Sequence, residues 1–294
     1  MTTTIFRSLL SLLFVCAASP ALADKMSCYP ADIPAPRSTL QTILVIDRTA
    51  PLDANAVRDF IAAGKVAAGR FGQRLVVLSF AGLAPGENLN NVLDLKIEAP
   101  IEDPQVRANA RIGPFKSSQR CVQKRQQQAL EKLTATLTEQ LRPPSKALQR
   151  SEIVYALRRT LESFAAAELS TLMLVYSDGV QNGSGLVFYD KSGHPRRIDA
   201  KVELRKLKQT GQSAPPREAL GPTKVLWWGL LVPEPAPVGT PPRYYSADWL
   251  EQYSTFWRAV LTGWGVPAIA IGEPSLLNPD LAHPALKTQL AHHR

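Results

Sequence analysis

Two short apolar runs each end on an aspartate with hydroxyls beside it: Thr42-Ile43-Leu44-Val45-Ile46-Asp47-Arg48-Thr49 and Leu172-Met173-Leu174-Val175-Tyr176-Ser177-Asp178-Gly179. Carboxylates and hydroxyls are hard oxygen donors, and a cluster of them suits a small hard cation. Continuous apolar runs of this length read as buried strands of a parallel α/β sheet. In such sheets ligands bind beyond the carboxyl ends of the strands, where the topology switches. If the two strands are neighbours, Asp47, Thr49, Ser177 and Asp178 meet in one crevice.

Other chemistries are poorly supplied. His194, His283, His292 and His293 share no metal-ligand spacing, which argues against zinc. There is no Gly-x-Ser-x-Gly elbow and no Walker loop. The glycine-rich stretch from Gly179 to Gly185 lacks a lysine and a following helix signal, so it reads as a mobile loop rimming the site. Ordinary structural roles stand beside the chemical ones. Asp47 or Thr49 could cap the first helix with Pro51 in its first turn, and Ser151 could be a simple N-cap. Ser177-Asp178-Gly179 could be a simple turn. Trp227, Trp228 and Trp257 read as core.

The elements that must position these residues alternate along the chain. A strand at Thr42–Ile46 precedes a helix from about Leu52 to Phe71, whose Val57, Phe60, Ile61, Gly64, Ala68 and Phe71 recur at helical spacing. Leu75–Phe80 reads as a second buried strand. Leu93, Leu95 and Ile97 alternate with Asp94, Lys96 and Glu98, the pattern of an antiparallel edge strand with one wet face. Residues 101–116 read as loop, and Ser118–Leu141 as a polar helix stopped by Pro143-Pro144. Ser151 opens a helix that leads into the strand Leu172–Tyr176. A long excursion over 183–222 follows, with a short strand at Leu186–Tyr189 and a basic helix near Ala200–Gln209. Val225–Val232 is the next buried strand, Ser246–Trp264 a docked helix with Ser246 as its cap, and Ala268–Ile271 a last strand. The order predicts an α/β fold: one doubly wound, mostly parallel sheet with one antiparallel edge strand and helices on both faces.

Composition bounds the setting. The chain has 294 residues, 45% of them hydrophobic, enough for a sizeable core. Residues 1–23 have the layout of a secretory signal peptide: Arg7, an apolar stretch from Ser8 to Ala18, and Ala21-Leu22-Ala23 before the cut. An uncleaved anchor is the alternative reading. Residues 24–40 form a proline-rich extended arm, 41–272 the α/β domain with insertions at about 99–148 and 183–222, and 273–294 a loosely attached tail. No later stretch approaches the roughly 20 apolar residues that span a bilayer. Without the signal, Cys28 and Cys121 remain, and an exported location permits a disulfide between them; two separate buried thiols are the alternative. The net charge of +9 favours acidic partners or anionic surfaces. Export argues against nucleic acid. Arg196, Arg197, Arg205 and Lys206 form a basic stretch where an anionic partner could dock, although a solvated basic face is the simpler reading.

Asp47-Arg48-Thr49-Ala50-Pro51, Ser151 and Ser177-Asp178-Gly179, in that order at strand and helix ends, resemble a von Willebrand factor type A (vWA) domain over about Gln41–Ile271. The resemblance implies a metal-ion-dependent adhesion site, with Asp47 as its first aspartate and Thr49 as its first hydroxyl. Ser151 would match its second-loop hydroxyl and Asp178 its third-loop aspartate. Mg²⁺ or Mn²⁺ is the implied ion. Pro51 stands where the family has a second serine, so one side-chain ligand is missing and affinity falls. The implied function is binding of a partner protein, through an acidic residue that completes the ion's coordination, by an exported, periplasmic or secreted protein. A metal-free structural or assembly component of an envelope machine is the alternative. A metal-assisted hydrolase is the weakest reading, because no general acid or base accompanies Asp47. The chain is therefore expected not to be an enzyme.

Overall fold

The computed structural model describes residues 27–29, 35–36, 38–82, 89–109, 112–143, 151–165, 168–183, 185–212, 220–232 and 245–272. The expected signal peptide and C-terminal tail lie outside them, as does most of the arm. The elements run β1 (Leu40–Asp47), α1 (Ala54–Ala68), β2 (Gln73–Phe80), β3 (Leu89–Ile97), α2 (Pro104–Asn109), α3 (Ile112–Gln140), α4 (Ile153–Phe164), β4 (Ser170–Tyr176), β5 (Asn182–Gly183), β6 (Leu186–Val187), α5 (Ala200–Gln209), β7 (Thr223–Trp228), α6 (Ala247–Gly263) and β8 (Ala268–Ile271). Six strands form one sheet in the order β3-β2-β1-β4-β7-β8, and β5 pairs with β6 in a separate hairpin. Only the β2–β3 pair of the large sheet is antiparallel. The doubly wound, mostly parallel sheet with one antiparallel edge strand is therefore present.

The two-residue period of a strand decides which helices cover each face. Ile43 and Val45 of β1, with Met173 and Val175 of β4, point to the face covered by α4, α5 and α6. Leu44 and Ile46, with Leu172 and Leu174, point to the opposite face, where Phe60 of α1 and Leu133 and Leu137 of α3 cover them. Because both faces are covered, the central strands read as unbroken apolar runs. Strand β3 is covered on one face only, so Asp94 and Lys96 are exposed while Ile97 is buried.

Local chemistry moves several boundaries from their expected places. Helix α1 starts at Ala54 rather than the expected Leu52 because Asp53 caps it, its carboxylate accepting the Ala56 N–H at 2.8 Å. The segment expected as loop before Ser118 is helical: Asp103 accepts from the Gln105 and Val106 amides at the head of α2, and α3 already begins at Ile112. Periodicity missed this stretch because the first turns of α3 are mostly solvated and carry no apolar stripe. At Leu186 only two residues pair as strand; Tyr189 instead makes an isolated bridge to Pro195.

Cys28 and Cys121 form the expected disulfide, with their Cα atoms 5.5 Å apart. It sits in a small third cluster of Cys28, Tyr29, Ile101 and Val122, backed by Phe71, Val106 and Phe115. Glu98 binds the same junction, accepting from Ser27 Oγ at 2.6 Å and the Cys28 amide at 2.9 Å, with Arg125 of α3 at 3.3 Å. Among the described residues, no helix is long and apolar enough to cross a membrane.

Candidate functional site at the carboxyl edge of the sheet

Strands β1 and β4 pair in parallel with Ile46 opposite Tyr176, so Asp47 and Ser177 leave the sheet side by side. The chain winds outward through β2 and β3, then returns to lay β4 on the other side of β1. This is a topological switch point, where the helix connections diverge to opposite faces and leave a crevice.

The Asp47 carboxylate organises this crevice. Its Oδ1 accepts the Thr49 amide at 2.9 Å and the Thr49 hydroxyl at 2.6 Å. Its Oδ2 accepts the hydroxyls of Ser151 at 2.6 Å and Ser177 at 2.7 Å. A carboxylate has about four lone-pair sites, and here each oxygen takes two donors. Asp47 is 1% exposed, Ser151 and Ser177 0%, and Asp178 5%. Burial pushes the Asp47 carboxyl above the usual carboxylate range, against the opposing pull of the hydrogen bonds from Ser151, Thr49 and Ser177. Asp178 stands one residue past Ser177 and turns its Oδ1 onto the Val180 amide at 2.9 Å.

All four residues expected at the site, Asp47, Thr49, Ser151 and Asp178, therefore lie along this edge. The ordinary capping roles fall elsewhere, since α1 is capped by Asp53 and the N-cap of α4 is Glu152. Ser177 is a further member of the cluster, marked in the sequence by its place immediately before Asp178 at the end of the strand. Arg48 turns to the α3 side, where its Nη1 donates to Gln140 Oε1 at 2.9 Å. Pro51 contributes only its carbonyl, which accepts the Tyr176 hydroxyl at 3.0 Å. That bond ties the β1–α1 loop to β4.

The glycine-rich stretch after Asp178 is docked rather than free at its start. Gly179, Val180 and Gln181 are buried. Gln181 accepts the Val154 amide at 3.0 Å and donates to the Gly183 carbonyl at 3.0 Å, while the Asn182 amide donates to the Ser151 carbonyl at 2.9 Å. Gly179 has φ +74°, and a Cβ there would stand 2.5 Å from Leu230 Cδ1 and 3.0 Å from Trp257 Nε1. Left-handed strain and overpacking add. Gly179→Ala is expected to destabilise the fold by about 2 kcal/mol, read as a lower midpoint in urea; an unchanged midpoint contradicts the tight packing beneath this turn.

The cluster fits a small divalent ion in donor type and charge. Each hydroxyl donates a hydrogen bond to Asp47 and keeps lone pairs of its own, although Ser177 already accepts the Gly179 amide with one of them. Asp47 and Asp178 together balance a dication, and Pro51 leaves one position to water or to a partner's carboxylate. Asp47 and Asp178 are joined by no histidine, cysteine or further acid in a metal-holding group among the described residues.

The four cations expected to face a partner are largely engaged within the chain. Arg196 Nη2 and Lys206 Nζ both bind Glu203 Oε1, at 2.8 and 3.1 Å, and Glu203 is 2% exposed. Arg197 pairs with Asp248 at 2.5 Å. Arg205 stays exposed on α5 with Lys201 and Lys208 at spacings of four and three residues, one row of a helix. The sequence could not separate these groups, because the acid that takes up Arg196 and Lys206 is buried by α5 packing on α6.

No protein-family model matches the chain, and no curated protein matches it. Its structure is similar to that of an aerotolerance-related membrane protein from Bacteroides fragilis, at 14% identity and a TM-score of 0.40, covering 86% of this chain and 99% of that one. It is also similar to the pilus adhesin SpaC from Lactobacillus rhamnosus GG, at 11% identity and a TM-score of 0.38, covering 87% of this chain and 30% of that one. A third likeness is to the TFIIH p34 N-terminal domain, at 12% identity and a TM-score of 0.29, covering 83% and 95%. At these identities the likeness is one of fold alone.

Proposed function

We propose that the chain is an exported protein-binding domain of the vWA type, which engages an acidic residue of its partner at the carboxyl edge of β1 and β4. One observation carries the reading. Hydroxyls from three separate segments, Thr49, Ser151 and Ser177, are trained on one buried carboxylate, and the buried Asp178 directly follows Ser177. A purely structural turn does not need three converging segments. A divalent ion, Mg²⁺ or Mn²⁺, would be held by Thr49, Ser151 and Asp178, with Asp47 orienting the hydroxyls and supplying balancing charge, and when bound would act as a charge bridge to the partner's carboxylate. Asp47 fixes the hydroxyl orientations, and Tyr176 holds the loop bearing Thr49 against β4. Export is supported by the signal-like start and by the disulfide, which persists in oxidising compartments.

A second, metal-free reading as an envelope assembly component is favoured by a specific feature: Asp47 already has all its acceptor sites filled, and Pro51 offers no side-chain oxygen. Calorimetric titration of the mature protein with Mn²⁺ and Mg²⁺ separates the two. Under the metal reading the wild type gives a saturable heat, and Asp178→Asn weakens it by at least about tenfold, because one of two balancing charges is lost. Flat traces for both proteins remove the ion and leave the assembly reading.

A further inference from the structure

The turn that carries Ser177 and Asp178 is gripped by its carbonyls. Ser177 O accepts the indole N–H of Trp227 at 2.8 Å, and Gly179 O accepts the indole N–H of Trp257 at 3.0 Å. Between them, Asp178 O accepts the Leu231 amide at 2.9 Å. All three donors come from the β7 and α6 side of the molecule. Both tryptophans are fully buried, with ring centroids 5.1 Å apart, so neither indole can turn without disturbing the core. Leu231 delivers its N–H from φ +50°, a left-handed conformation rare for a branched side chain. Backbone strain of this kind persists where the surroundings impose it, and it gathers at functional sites.

Three amide groups of the turn are engaged as well. The Ser177 amide donates to Trp228 O at 3.1 Å, the Gly179 amide to Ser177 Oγ at 3.1 Å, and the Val180 amide to Asp178 Oδ1 at 2.9 Å. With these backbone groups held, the Ser177 hydroxyl is aimed at Asp47 Oδ2. A turn held only by water-exposed bonds would sample several positions and present no fixed oxygen cluster.

We infer that Trp227, Trp257 and Leu231 are positioning residues for the Asp47 cluster: through the Ser177–Gly179 carbonyls they set where the Ser177 hydroxyl and the Asp178 carboxylate stand. This rests on the proposed reading of the edge as a binding site, but the grip itself can be tested without a ligand. The indole N–H signals of Trp227 and Trp257 in the ¹⁵N-labelled, oxidised mature protein are expected to exchange with solvent at least about tenfold more slowly than that of half-exposed Trp249. Exchange as fast as that of Trp249 overturns the inference, and this measurement needs no variant to fold. Trp257→Phe and Trp227→Phe keep an aromatic ring in the core and remove the donor together with part of the indole's bulk. In these variants the Gly179 and Val180 amides are expected to exchange about tenfold faster, with Val45 and Val77 changed less than about twofold. Mn²⁺ is expected to bind about tenfold more weakly when measured well below the variants' lowered thermal midpoint. A uniform rise at all four amides, or none at Gly179 and Val180, overturns the positioning role. If the wild type binds no Mn²⁺ while the local exchange still shifts, the ion in the proposed function falls and the positioning role stands.

Discussion

Replacing Cys28 and Cys121 by serine is expected to lower the unfolding free energy by about 4 kcal/mol. The two cysteines are 93 positions apart, and closing a loop of that length strongly restricts the unfolded chain. The folded state offers little to replace the bond. The cluster around it is small, with Cys28, Tyr29, Ile101 and Val122 at its centre and separate from both faces of the sheet. Glu98 and Arg125 add polar contacts, but these are partly exposed and contribute less than a buried pair. Urea unfolding with and without reductant measures the loss. Serine variants and the reduced wild type should agree, and a shift under about 1 kcal/mol in both would remove the disulfide as the main restraint on the insertion that contains α2 and α3.

Asp47→Ala is expected to cost about 3 kcal/mol even in the absence of any ion or partner. It leaves three hydroxyls and the Thr49 amide without their acceptor, two of the hydroxyls on fully buried serines. Each buried donor left unmade costs about 1–3 kcal/mol. Part of this is offset, because the substitution also removes a buried carboxylate whose own desolvation is unfavourable. Asp47→Asn keeps the volume and one carbonyl acceptor, so it should fall between wild type and alanine. A urea midpoint for Asp47→Ala within about 0.5 kcal/mol of wild type would mean that the hydroxyls find other acceptors and that Asp47 does not organise the edge. The same argument makes Asp47→Ala a poor probe of ion binding. Asp178→Asn is preferred for that purpose, since none of the hydrogen bonds to Asp47 runs through Asp178.

Much of the fold was legible because its signals are local. The unbroken apolar runs of β1, β2, β4 and β7 announce strands covered on both faces, and alternation in β3 announces an edge. The start of α3 was not legible, since a helix with no apolar stripe in its first turns leaves no period to find. Helix caps were partly legible: Ser246 is the N-cap of α6 as expected but makes no side-chain cap bond, whereas Asp53 and Asp199 do. Cap chemistry depends on a rotamer, and residue type only sets its odds.

The candidate site divides in the same way. Sequence placed Asp47, Thr49, Ser151 and Asp178 at element ends, but the pairing of β1 with β4 was only a condition there and is set by the order of the sheet. Sequence could not say that Asp47 would be sealed beneath four donors, that Arg48 would turn to α3, or that Arg196 and Lys206 would be taken up by a buried glutamate. Nor could it show two core tryptophans reaching the turn that bears Asp178. A residue's period along the chain determines the face it occupies, because backbone geometry repeats locally. Which donor meets which acceptor depends on how the helices pack over that face, and only the folded arrangement of all the segments decides it.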